Sequence, residues 1–167
     1  NWKVYVDNYL DGGYHVNTVH PGLAGVLDYA NYTTAVHRWT SLQSSPLKPA
    51  AGSEGTTRTG TDAAYWWAYP NAMVNLYAGV MDTNVVLPMG VDRCRVVFDF
   101  YFAAGTDPAF VRESVAVADR IQAEDATICE QVQRGLGSRA FDRGRFGVKR
   151  EAGGHHFHQL FGRALLS

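Results

Sequence analysis

The chain opens on alternating positions, Trp2, Val4 and Val6 against Lys3 and Tyr5, and this period of two predicts a strand over Trp2–Val6. Asp7-Asn8 then offers a cap for a helix carrying Tyr9, Leu10, Tyr14 and His15, which His20-Pro21-Gly22 interrupts. A less regular stretch, 22–62, follows. Within it Tyr29 to Leu42 has strand-like composition, and Ser44 to Gly60, rich in Ser, Pro, Gly and Thr, reads as a loop. Segments 73–81 and 84–89 are predicted strands. The clearest strand is Arg93 to Phe102, where Cys94, Val96, Phe98, Phe100 and Phe102 share one face and Arg93, Arg95, Asp99 and Tyr101 the other.

Thr106-Asp107-Pro108 starts a helix that runs to about Leu136, with room for two helices re-capped near Ala123-Glu124-Asp125 and a stop at Gly135 and Gly137. A last helix, His155 to Leu166, places Phe157, Leu160, Phe161 and Leu165 at helical spacing and is opened by His155, His156 and His158. Antiparallel strands followed by long helices predict an α+β domain, a curved antiparallel sheet around a long C-terminal helix.

Composition narrows the partners. Fifteen Lys+Arg balance sixteen Asp+Glu without clustering, so no electrostatic footprint for nucleic acid is present. No apolar run reaches membrane-spanning length, and no membrane partner is expected. Cys94 and Cys129 are too few for a disulfide framework and sit in apolar-patterned segments, which predicts a reduced pair and a cytoplasmic protein. The chain begins inside a patterned element without Met, as a fragment or excised domain would.

The densest chemistry lies at His15 and His20, after Gly12-Gly13. Two histidines with one carboxylate leave positions open on a metal where oxygen or substrate binds. Residues five apart diverge by roughly 140° on a regular helix, so both rings reach one ion only if the helix bulges or unwinds, and Pro21 favours unwinding. A carboxylate candidate comes from the long helix: Ile121, Asp125, Ile128 and Val132 form a stripe, and Asp125 on it needs a cation. Glu124 competes from one position off the stripe, and Arg120 or Arg134 offers Asp125 a plainer partner. Tyr65-Trp66-Trp67-Ala68-Tyr69 reads first as ordinary core and sheet packing.

Several of these segments together resemble the catalytic domain of Rieske non-haem iron oxygenase large subunits, in the branch containing choline monooxygenase and ring-hydroxylating enzymes. They are residues 1–16 (Asn1-Trp2-Lys3-Val4-Tyr5-Val6 through Tyr14-His15-Val16), His20-Pro21-Gly22-Leu23, Tyr69-Pro70-Asn71, Glu124-Asp125, Cys129-Glu130-Gln131-Val132-Gln133-Arg134-Gly135-Leu136 and His155-His156-Phe157-His158. The resemblance implies a helix-grip (START-like) fold and a mononuclear iron(II) held by His15, His20 and Asp125, catalysing O2-dependent hydroxylation or demethylation of a small substrate. It further implies a homotrimer, with the Rieske [2Fe-2S] cluster of one subunit feeding the iron of its neighbour and NAD(P)H electrons arriving through a separate reductase or ferredoxin. Asn8 matches a family asparagine near the iron. Many relatives carry an acid three positions before the first histidine; here that position is Gly12, and Asp11 is the nearest acid on the electron route.

Residues 1–167 are thus expected to be the iron domain alone, because the Cys-x-His and Cys-x-x-His pairs of a Rieske cluster do not occur. Such a domain would bind iron without turning over. Tyr65, Trp66, Trp67, Tyr69 and Asn71 are the candidate substrate pocket, as a cage for a quaternary ammonium or a stack for an arene. Two other readings remain open: a metal-free helix-grip binding domain, and a zinc hydrolase on the same ligands with Asp11 as base.

Overall fold

The computed structural model describes residues 1–48 and 56–167. Trp2–Val6 is not a strand but the core of helix α1 (Trp2–Tyr9), whose first turn is capped by Asn1 Oδ1 accepting from Lys3 N at 3.0 Å. The alternation misleads because Trp2, Val6 and Leu10 also recur every four residues, and Val4, Tyr5 and Val6 are all buried. The helix expected after Asp7 is broken up: α2 (Val16–Val19) ends at His20, and Pro21 begins α3 (Pro21–Val26) at its first position.

Among the described residues six antiparallel strands follow as an open meander, β1 (Thr33–Val36), β2 (Thr40–Pro46), β3 (Asp62–Ala68), β4 (Ala72–Tyr77), β5 (Val80–Pro88) and β6 (Cys94–Phe102), each pairing with the next. The stretch Tyr29 to Leu42 holds a short 3-10 turn (Tyr29–Asn31), all of β1 and the start of β2. Of the expected loop Ser44 to Gly60, Ser44–Pro46 completes β2, and 49–55 lie outside the described residues. The break expected near residues 82–83 is absent. Asp82 and Thr83 continue β5, and the turn falls instead at Ala78-Gly79, where Gly79 adopts φ 74°.

β6 behaves as its pattern predicts, half-buried and exposed residues alternating along all of it. The long helix α4 (Pro108–Leu136) is continuous, without the second cap allowed for at Ala123, and starts where Asp107 Oδ1 accepts from Ala109 N at 2.9 Å. Helix α5 (Ala152–Leu166) begins three residues before His155, so the histidines lie within its first turns. Among the described residues no helix is long and apolar enough to cross a membrane.

Helix α1 is sandwiched between β5 and α4, which leaves a cavity between α4 and the sheet. Behind α1 the main core joins Tyr5, Val6 and Leu10 to Trp67, Met73, Val86, Phe157 and Leu160, with Trp2 edge-on to Phe157 at 5.7 Å. His158 Nε2 meets Asp7 Oδ1 at 2.7 Å, tying α5 to α1. The hydrogen bond to Asp7 holds the His158 pKa above its ordinary value. A raised folded-state pKa adds stability that is complete below the unfolded value, near 6.5, and is lost as pH rises through the folded one. Between pH 6 and 8 the urea midpoint of the native protein should therefore fall further than that of Asp7→Asn, by a small margin because both side chains are over two-fifths exposed. Parallel slopes would contradict the tie.

Candidate metal centre

Two adjoining short helices and one helix far along the chain meet at one point. His20 sits at the gap between α2 and α3 with φ −115° and ψ 75°, outside the helical region, so the unwinding allowed by Pro21 is what turns its ring inward. His15 lies one residue before α2. Asp125 comes from α4, on a buried face of Ser114, Val117, Ile121 and Asp125; the expected stripe runs out at Val132, which is exposed. The ligand atoms of His15, His20 and Asp125 all lie within 4.8 Å of one another.

The approach distances are those of a coordination shell. Asp125 Oδ1 is 3.0 Å from His20 Nε2 and 3.7 Å from His15 Nε2, and the rings stand at 82° with centroids 5.1 Å apart. Two ligands about 2.1 Å from a metal and at right angles to one another are separated by about 3.0 Å. The donor chemistry, two imidazoles and a carboxylate on one side of an open cavity, fits a divalent transition metal with positions left free.

Both imidazoles are held from behind by separate carboxylates. Asp11 Oδ2 lies 2.8 Å from His15 Nδ1, and Glu124 Oε2 lies 2.6 Å from His20 Nδ1. A proton shared on Nδ1 leaves Nε2 with its lone pair aimed at the metal position. Burial works against charge on His20, yet its hydrogen bonds to Asp125 and Glu124 outweigh it and raise the imidazole's pKa. Asn8 Nδ2 donates to Asp125 Oδ1 at 2.7 Å, so the asparagine singled out in the sequence reaches the centre. Tyr5 donates to Gln122 Oε1 at 2.6 Å, fixing α1 to α4 one turn before Asp125.

The loop before His15 is locked by its own atoms. Asp11 Oδ1 accepts from Gly13 N and Oδ2 from His15 N, each at 2.8 Å. Gly12 has φ 70°, and a Cβ there would sit 2.4 Å from the Arg150 carbonyl oxygen, which excludes any side chain. Buried Gln43 closes the loop from the sheet, donating to the Tyr9 carbonyl at 2.7 Å and accepting from Gly12 N at 3.1 Å.

Of the residues expected to form the pocket, Tyr65 lines the cavity, while Trp66, Trp67, Tyr69 and Asn71 do not. Trp67 shares the inward face of Tyr65, but two residues along the strand it meets Phe157 of α5, 5.7 Å away, in the core. Trp66 stacks with His37 on the opposite face. Tyr69 packs against Trp39 and Trp67, and Asn71 Nδ2 is spent on the Val86 carbonyl at 2.6 Å. The wall is built instead from Tyr5, Tyr9, Tyr77, Phe98 and Phe100, with Arg58 and Asp82 as charged groups. Glu124, a rival ligand by its place in the sequence, instead backs His20, and for Gln43 and Asp82 the sequence carries no signal beyond a polar side chain within a strand.

The two cysteines are free, and burial pushes Cys129, near Asp125 and Cys94, up to about 12, away from thiolate chemistry.

A family profile described as ring hydroxylating alpha subunit (catalytic domain) matches residues 1–167. Choline monooxygenase, chloroplastic, of Arabidopsis thaliana is 46% identical over 162 residues, covering 96% of this chain and 38% of that protein. The carnitine monooxygenase oxygenase subunit of Escherichia coli strain K12 is 31% identical over 176 residues, covering 96% of this chain and 46% of that protein. A crystal structure of the quaternary ammonium Rieske monooxygenase CntA with an inhibitor matches at TM-score 0.83 and 26% identity, over 98% of this chain and 46% of that one. The chain therefore spans under half the length of each of these proteins.

Proposed function

Since the chain belongs to the family of ring-hydroxylating alpha-subunit catalytic domains, we propose that residues 1–167 are the mononuclear iron domain of a Rieske oxygenase, hydroxylating or demethylating a small quaternary ammonium compound with O2. One observation carries this reading: both imidazoles turn Nε2 to the same carboxylate oxygen of Asp125 and Nδ1 to carboxylates of their own. His15, His20 and Asp125 would hold iron(II), which when bound supplies open positions where O2 and substrate meet.

The chain's own residues prepare that meeting. Asp11 and Glu124 fix the ring tautomers, Asn8 holds the Asp125 carboxylate in place, and the aromatic wall keeps bulk water from the reacting carbon. Asp11 stands behind His15 rather than in the cavity; it lines the outer groove that also holds Asp7 and His158. It thus does what an acid at position 12 does in many relatives, and electrons from a [2Fe-2S] cluster, on another domain or on a neighbouring subunit of a homotrimer, would enter through it. NAD(P)H, a reductase and a ferredoxin complete the chain of donors. A base for zinc-dependent hydrolysis is not available in Asp11, whose oxygens are occupied on the far side of His15. The free thiols suit a reducing compartment, the cytoplasm or a chloroplast, the latter being where the description of the Arabidopsis relative puts that protein.

The test uses the complete protein: quantify iron and sulfide, then measure NADH-dependent O2 uptake against quaternary ammonium and aromatic panels. Iron, sulfide and uptake coupled to a quaternary ammonium compound are expected; stoichiometric zinc, or no metal at all, would overturn the reading. Glu124→Gln should weaken iron retention or turnover by about 10–100-fold, since its role is to orient and polarise His20. Iron titration of the variant checks it, and native-like affinity would remove Glu124 from the centre.

A further inference from the structure

The cavity continues well past the proposed ligands, and its walls can be ordered by level on α4. Asp125 and His20 lie at one end and Gln122 and Tyr5 about one turn away, while Asp82 and Phe100 come together with Ala118 and Ser114. Ala118 precedes Asp125 by seven residues, about 10 Å along a helix. The strand register explains how a carboxylate arrives so deep: Gln43, Tyr65, Asn75, Asp82 and Phe100 stand directly opposite one another across five strands, on the inward face.

Apart from Asp125, Asp82 is the one carboxylate lining this cavity among the described residues. Its Oδ2 accepts from Asn75 Nδ2 at 2.7 Å, and a rotated Asn84 amide adds a donor at 3.1 Å; among the described residues Oδ1 has no hydrogen bond. Arg58, the cavity's cationic side chain, gives Nε to the Tyr77 hydroxyl at 3.2 Å and lies over that ring, rather than pairing with Asp82. Opposite Asp82 the helix presents only Ala118 and Ser114, and the Ser114 hydroxyl is buried without a partner. Burial pushes the Asp82 carboxyl up to about 6 even though Asn75 and Arg58 pull the other way. The negative charge is thus short of compensation on its cavity side.

Around this carboxylate the tyrosine hydroxyls are spent on the protein. Tyr9 donates to Asn75 Oδ1 at 2.7 Å, and the Tyr65 and Tyr77 hydroxyls share a bond of 2.8 Å. Besides the Ser114 hydroxyl and the Arg58 guanidinium, which is turned to Tyr77, a ligand at this level meets one carboxylate oxygen and aromatic surface, surroundings that suit a cation unable to donate hydrogen bonds. The cavity volume is about 90 Å³, on the order of six to nine water-sized volumes, which accommodates a compact aliphatic cation.

Building on the iron-oxygenase reading, we infer that Asp82 is the counter-ion for the substrate's ammonium group and decides which end of the molecule reaches the metal. The nitrogen rests at the Ala118 level, and the carbon presented to His15, His20 and Asp125 is the one farthest from it. The reaction this orientation selects is insertion of oxygen into a C–H bond remote from nitrogen, with every C–N bond retained. One atom of O2 enters that bond and the other leaves as water, with two electrons from NAD(P)H and two protons.

The experiment compares choline with its uncharged isostere 3,3-dimethylbutan-1-ol, binding each anaerobically to the full-length protein with and without iron. The native protein should prefer choline, and Asp82→Asn should weaken choline by about 30-fold or more while moving the neutral isostere less than threefold and leaving iron content unchanged. Asp82→Glu should restore part of the preference. A native protein that does not discriminate between the two compounds overturns the inference without any variant. So does an Asp82→Asn protein that loses both compounds alike, or, when the iron-loaded native protein is then turned over on choline with O2 and NADH, a product lacking its original C–N bond. Because the preference is also measured without iron, a failed metal site and a failed counter-ion give different results.

Discussion

Asp125→Asn in the complete protein is expected to abolish iron retention and substrate-dependent O2 uptake, each by more than about 100-fold, the upper end of what losing an outer partner costs. Its fold should survive. Asp125 is a buried carboxylate whose neighbours are Asn8 and two imidazoles, and the amide keeps its shape while removing a charge that costs energy to bury when no metal is there. Metal analysis together with a melting curve separates the two effects: iron lost with the melt little changed supports ligation by Asp125. Full iron occupancy in the variant would assign the third ligand elsewhere and undo the proposed centre.

Gly12→Asp should damage the protein even though it installs the acid that the family resemblance implies at that position. The backbone at Gly12 is left-handed at φ 70°, which costs a non-glycine residue about 1–2 kcal/mol. Its Cβ would lie 2.4 Å from the Arg150 carbonyl and 2.6 Å from the Arg150 Cβ, adding an overpacking cost of about 1–3 kcal/mol. Denaturant titration should show a loss of about 2–5 kcal/mol, the sum of those two costs. Electron transfer, measured as NADH oxidised per product formed, should not improve, because Asp11 already holds His15 Nδ1. A stable, more tightly coupled variant would mean that the loop rearranges around Arg150.

Much of the fold was legible in the sequence, and so was the trio of side chains that the structure brings together. His15, His20 and Asp125 stand out because ligand chemistry and helical spacing constrain so few residues, and the gap at Pro21 could be anticipated from proline's geometry alone. Trp2–Val6 is ambiguous because five residues satisfy periods of two and of four equally well; burial against both the sheet and α4 decides for helix. Of the expected pocket residues only Tyr65 reaches the cavity, for a different reason. Aromatic density along Tyr65-Trp66-Trp67 says nothing about which of these rings meets another helix, and only the register with β4 and the position of α5 sends Trp67 into the core while Tyr65 faces the cavity. Asp82 escaped notice since a charged residue within a strand reads as an interruption unless the sheet encloses polar space.

His20 and Asp125 are separated by 105 positions along the chain, and the whole sheet is threaded between them. An ion clasping both closes that loop, so its binding energy is spent on the architecture as well as on chemistry, about 2.7 kcal/mol when free metal is a hundredfold above its dissociation constant. Nascent protein cannot capture the ion until α4 has been synthesised and docked against α1. On the proposed reading, iron uptake would be a late act of maturation, open only to molecules in which α4 has already docked.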